Sequence, residues 1–164
     1  MTKAQKKLIL LRAKKVFFAA MMDGYAGNRY KKSVKVKTDD GYTTITFVSG
    51  DYKVVDRYCT NEHSNKSAGT TTIHFKNSPI WWMWYSGFYK ERAIPFLLAT
   101  LKQSYKKRIW NGGRGPRSWY DSNLMYMTDG ELKDFSDFEG REEISVRETD
   151  EIIGVHNFGG MSLI

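Results

Sequence analysis

Between Ser33 and Tyr89 the apolar residues recur at every second position in five successive stretches, and a chain with that period has to bury one face of an antiparallel sheet. The stretches are SVKVK, YTTITFV, DYKVVDRYC, GTTTIHF and IWWMWYSGFY, rich in Val, Thr, Ile and aromatic residues. TDDG, SG, TNEHSNKSAG and KNSP separate them. The SGD around Gly50 fits a short hairpin, and residues 60–68 are expected to form a mobile loop on the rim of the sheet. Alternation sends Ile80, Trp82 and Trp84 to one face of the last stretch and Trp81, Met83 and Tyr85 to the other. Further on, REEISVRE and EIIGVHNF read as two more strands.

The period is helical on either side of this block. Ile9, Leu10, Ala13, Val16, Phe17, Ala20 and Met21 form a broad apolar face over residues 4–22, and DGYAGN breaks it. In IPFLLATLKQSYKKR, Pro95 suits a first helical turn and the basic residues crowd the last one, where the helix dipole favours them. The expected fold class is α+β. A single domain over residues 1–164 has a curved, mostly antiparallel sheet packed by an N-terminal helix and a second helix near 94–107.

The 164 residues are 41% hydrophobic and 15% aromatic, enough for a continuous core. A single cysteine, Cys59, excludes an internal disulfide and a cysteine-rich zinc site, which points to a reducing, cytoplasmic setting. The basic, apolar N-terminus resembles a secretory signal, but Arg12, Lys14 and Lys15 interrupt it, and no membrane span is expected. The net charge of +8 is unevenly spread. Residues 1–37 hold eleven Lys or Arg against Asp23 alone, residues 102–117 hold six against none, and residues 121–151 hold eleven acids against three bases. Such asymmetry is either a solvated surface or a positive field that attracts anions.

Chemistry is most concentrated in RIWNGGRGPRSWY, residues 108–120. It has neither the Walker pattern nor the context of a dinucleotide fingerprint, so no cofactor is expected. Bare amides at Gly112, Gly113 and Gly115 could converge on an anion, with the Arg114 fork beside them. Equally, Gly112 or Gly113 could adopt the left-handed conformation of a helix exit that Pro116 ends. In NKSAGTTT, Ser67 and Thr70 are either phosphate-facing hydroxyls or ordinary strand formers. Trp82, Trp84 and Trp119, with Tyr58, could wall a cavity that stacks a planar ligand. On GDYKVVDRYC, Arg57 shares a face with Val55 and Cys59, and Asp56 shares the other with Val54 and Tyr58, which suggests a partly buried carboxylate with a partner.

Cys59 reads as an inert thiol, because no helix N-terminus is at hand to lower its pKa. His74 and His156 fail the paired-histidine phosphoesterase pattern, since Lys76 and Phe158 stand where hydroxyl residues are needed. The three histidines do not make a metal site.

Taken in order, YAG at 25–27, GDYKVVDRYCTN at 50–61, SAGTTT at 67–72, GGRGP at 112–116, GREEI at 140–144 and GMSLI at 160–164 resemble a family of uncharacterised bacterial and phage domains. Its members occur alone or behind helix-turn-helix regions of the XRE regulator type. The resemblance runs from about Leu8 to the C-terminus and carries no catalytic role. This chain departs from the regulator arrangement, with no separate DNA-reading domain expected before Leu8.

The leading expectation is non-enzymatic binding of a small anionic, nucleotide-like ligand by a sensor or sequestering protein. Gly112, Gly113, Arg114 and Gly115 would contact phosphate, Ser67 and Thr70 would assist, Trp82, Trp84 or Trp119 would stack, Arg57 would add positive charge, and Asp56 would orient it or a ligand hydroxyl. One alternative is a basic surface that binds nucleic acid or inhibits a protein. Another is a nucleotide-directed enzyme using Asp51 or Asp56 as acid or base. Homo-oligomers are compatible with all three.

Overall fold

The structure is a computed structural model that describes residues 1–27, 32–61 and 63–164. Helix α1, Lys3–Met21, starts with a capping box: Thr2 Oγ1 accepts from the Gln5 amide at 3.2 Å, and the Gln5 side chain accepts from the Thr2 amide at 2.7 Å. It runs on into one π-helical turn, Met22–Ala26, where DGYAGN had marked a break. The strands that follow are β1 (Val34–Lys37), β2 (Tyr42–Ser49), β3 (Tyr52–Thr60), β4 (Lys66–Phe75) and β5 (Ser78–Tyr89). Helix α2 spans Ile94–Lys107 with proline in its first turn. Four more strands complete the chain: β6 (Ser118–Tyr120), β7 (Leu124–Glu131), β8 (Asp137–Val146) and β9 (Ile152–Ser162).

The nine strands among the described residues form one antiparallel sheet in the order β1-β2-β3-β4-β5-β9-β8-β7-β6. Each half is a helix followed by a meander, and the halves join through their last strands, with Tyr85 opposite Phe158. This is the expected α+β fold. The expected rim loop is shorter than residues 60–68, because Lys66, Ser67 and Ala68 already pair with β5. Strand β7 falls in an acidic stretch whose charges hide the alternation, and β6 is only three residues long.

Both helices lie on one face of the sheet. Phe17 meets Trp81, Tyr105 and Trp110 edge-on with ring centroids 5.6, 6.3 and 5.6 Å away. Trp81 has no exposed surface, stacks on Phe135 at 4.9 Å, and donates its indole N–H to the Phe135 carbonyl at 2.7 Å. An aromatic group with that burial and a satisfied N–H anchors a core. Among the described residues, the opposite face carries no helix.

Candidate functional site

The register distributes the candidate residues over both faces. Across the uncovered face, Thr44, Arg57, Thr70, Trp84, Gly159 and Glu139 stand directly opposite one another on β2, β3, β4, β5, β9 and β8. The neighbouring row, Ile45, Asp56, Thr71, Met83 and Gly160, points beneath the helices. Arg57 and Asp56 are therefore adjacent in sequence and on opposite sides of the sheet.

The covered side encloses a polar cluster. Glu142 on β8 is fully buried, and Arg114 Nε donates to its Oε1 at 2.9 Å. Arg114 Nη2 donates to the same oxygen and, at 3.1 Å, to the Tyr89 hydroxyl. Tyr89 and Tyr126 each donate to the Glu142 carboxylate. Burial alone would raise the Glu142 pKa, but the Arg114 charge and these hydrogen bonds hold it below the ordinary carboxylate value.

This arrangement corrects the expectation for the glycine-rich loop. The amides at 112, 114 and 115 donate to the Leu132 carbonyl, the Asn111 carbonyl and the Tyr126 hydroxyl, and Arg114 turns inward to Glu142. Gly112 and Gly113 have φ of 60° and 76°, so the loop makes a left-handed exit after Arg108, itself at φ 56°. Both glycines are buried, the Gly113 carbonyl accepts from Tyr105 at 2.9 Å, and the Gly115 carbonyl accepts from Asn111 at 3.2 Å. Hydrogen-bonding capacity that would have cradled phosphate fastens the loop to the core.

Beside the ion pair, Asp56 Oδ1 accepts from Thr71 at 2.7 Å and from Tyr85 at 2.9 Å, while its Oδ2 is buried without a partner among the described residues. Burial raises its pKa to about 6, against the opposing pull of those two donors and of Arg114. Asp56 lines a cavity of about 10 Å³ with Tyr25, Tyr85, Tyr105 and Arg114, which is room for one water. His156, also buried, has Nε2 3.0 Å from Ser67 Oγ, and burial together with the nearby Arg114 charge lowers its pKa to about 4. Ser67 thus belongs to the covered side, apart from Thr70.

On the uncovered face, the Arg57 guanidinium lies 4.0 Å from the centre of the Tyr42 ring and pairs with Asp40 at 2.5 Å. Tyr42, Arg57, Thr70, Trp84 and Ser86 line a recess of about 370 Å³. Past Trp84 a wider groove of about 840 Å³ runs between Asn157, Asp129, Asp137 and Glu139. A side chain at Gly159 would place its Cβ 3.0 Å from Trp84 Nε1, so the bare glycine lets the indole lie across β9. Trp82 is in the adjacent row of the same face. Trp119 is on β6, four strands from Trp84, and Tyr58 packs beside Tyr25 at 6.3 Å; neither joins the tryptophans.

The other candidates are dispersed. Asp51 sits in the β2–β3 turn, away from Asp56. His74 and His156 occupy opposite faces of the sheet, and no group of three or more metal-binding side chains occurs among the described residues. Sequence reasoning missed Glu142, Tyr89 and Tyr126; the one available signal was an acid alternating with apolar positions in GREEISV. Among the described residues no helix is long and apolar enough to cross a membrane.

Residues 56–162 match the family described as Domain of unknown function (DUF5680). Neither a curated protein nor a solved structure matches the chain.

Proposed function

The chain belongs to the DUF5680 family, and we propose that it is a non-enzymatic binding domain for a small anionic ligand with a planar ring, a nucleotide or a close analogue, held on the uncovered face of the sheet. The observation that carries this reading is the row Arg57, Thr70, Trp84, in which a cation, a hydroxyl and an aromatic surface line one recess on three neighbouring strands. Two strand spacings separate Arg57 from Trp84, about 10 Å. A ring stacked on Trp84 would extend its phosphate toward Arg57, past Thr70. Asp137 and Glu139 on the other side of Trp84 repel an anion and so favour this direction.

The Arg57–Asp40 pair is no obstacle. Both side chains are about half exposed, and an exposed pair contributes at most about 1 kcal/mol, less than a bidentate phosphate contact can recover. The resemblance to bacterial and phage domains found alone or behind helix-turn-helix regions is in keeping with a sensor or a sequestering protein. Heat release of whatever co-purifies with the protein, followed by its mass and absorbance, tests the reading. A nucleotide-like spectrum, recovered intact after prolonged incubation, is the expected result; a chemically altered ligand would favour the enzyme.

A further inference from the structure

The two helices that cover the sheet carry Lys3, Lys6, Lys7, Arg12, Lys14, Lys15, Lys102, Lys106 and Lys107, with Arg108 at the end of α2, and no acid. Eight of these ten cations are exposed, and none forms an ion pair with a described residue. Because α1 and α2 lie on the same side of the sheet and touch each other, the basic residues of the two helices are brought to one side of the molecule. The acids of residues 121–151 lie largely on β7, β8 and their loops, so the molecule is electrically polarised.

At the start of α1 local helix physics does not favour this distribution. Lys3 and Lys6 sit at the N-terminal end of α1, where the helix dipole disfavours cations and where no acid is present. Lys3 and Lys7, like Lys102 and Lys106, are four residues apart, so each pair repels. Lys106 and Lys107 suit the last turn of α2, whereas the cations at the start of α1 gain nothing from their own helix.

We propose that the α1–α2 face is a docking surface for the phosphate backbone of double-stranded nucleic acid, separate from the recess at Trp84. The large exposed apolar residues of the two helices and the α2 exit are Leu8, Leu11, Ile94 and Ile109, with no exposed aromatic ring on either helix. Single strands are held by aromatic stacking platforms, which this face lacks, whereas duplex backbone binding needs only spaced cations. Helix α1 is about 28 Å long, and duplex presents one phosphate charge per 1.7 Å or so of its axis, so several lysines can each find a phosphate. No side chain here is placed to read bases, and the binding is independent of sequence.

The test is fluorescence anisotropy with a labelled random-sequence duplex across a salt series. Neutralising about five phosphates predicts a fall in affinity of roughly 500-fold between 50 and 200 mM salt. Replacing Lys3, Lys7, Lys102 and Lys106 by Gln should weaken binding at least tenfold without lowering the melting temperature. Replacing Lys37, Lys53, Lys66 and Lys76 by Gln removes equal charge outside the helices and should change affinity less than twofold. Equal losses in the two variants would reduce the effect to net charge and overturn the proposal. So would tighter binding of a single strand of the same length, or binding to anionic phospholipid vesicles with none to the duplex.

Discussion

Arg114 Nε donates to Glu142 Oε1 at 2.9 Å inside the core, and this pair joins the glycine-rich loop to the second half of the sheet. Glu142 is 0% and Arg114 8% exposed, so each is the other's main compensation for lost hydration. Arg114→Ala leaves a buried carboxylate held only by tyrosines, and should destabilise the fold by about 3–5 kcal/mol. Denaturant unfolding monitored by tryptophan fluorescence measures it. A loss below about 1 kcal/mol would mean that the guanidinium has no structural role.

Asp56 and His156 should give opposing pH dependences. The folded pKa of Asp56 is raised from 3.8 to about 6, so its contribution to stability is present below pH 3.8 and is lost as pH rises through 6. The folded pKa of His156 is lowered from 6.5 to about 4, so its contribution is present above pH 6.5 and is lost as pH falls through 4. Each effect is on the order of 3 kcal/mol, and between pH 4 and 6 they offset each other. Unfolding of Asp56→Asn should therefore show stability falling steadily from pH 6.5 to 4. In His156→Gln it should instead fall from pH 4 to 6. Parallel profiles in the two variants would contradict the assignment.

Gly113→Ala forces a left-handed residue to carry a Cβ that would lie 2.9 Å from Phe17 Cζ. Strain and crowding together should cost about 1–3 kcal/mol. Gly50→Ala, at φ 57° with nothing within 4 Å of the new Cβ, isolates the strain alone and should cost about 1 kcal/mol. Thermal melts of the pair check the difference, and equal shifts would show that Phe17 yields freely.

The fold was largely readable from period alone. Seven strands, both helices and the split of Trp81 from Trp82 follow from which positions repeat, because a sheet with one covered face enforces alternation. Strand β7 was not, since in LMYMTDGE charge and glycine replace the apolar repeat at the strand's end. For the candidate site, alternation separated Asp56 from Arg57 but could not say that Arg114 would meet Glu142. That contact brings together a loop and a strand 28 residues apart, and only the β7–β8–β9 pairing creates it. Local pattern also could not choose between an anion cradle and a helix exit at Gly112 and Gly113, because both need bare, left-handed glycines.

Trp81 and Trp84 are neighbours on one strand with different duties. Trp81→Ala empties the centre of the core and should cost about 3–5 kcal/mol. Trp84→Ala, on the uncovered face, should cost less than about 1 kcal/mol. Paired chemical denaturation compares them; similar losses would mean that Trp84 is a core residue and not a ligand surface.

Whether the row from Arg57 to Trp84 holds an anionic planar ligand is decided by calorimetric titration of the wild type, Arg57→Ala and Trp84→Ala with nucleoside monophosphates. Saturable one-site binding that each substitution weakens at least tenfold, while the melting temperature holds, is the expected result. Binding that both variants retain at wild-type strength, or no heat from any of the four common ribonucleotides, would contradict it.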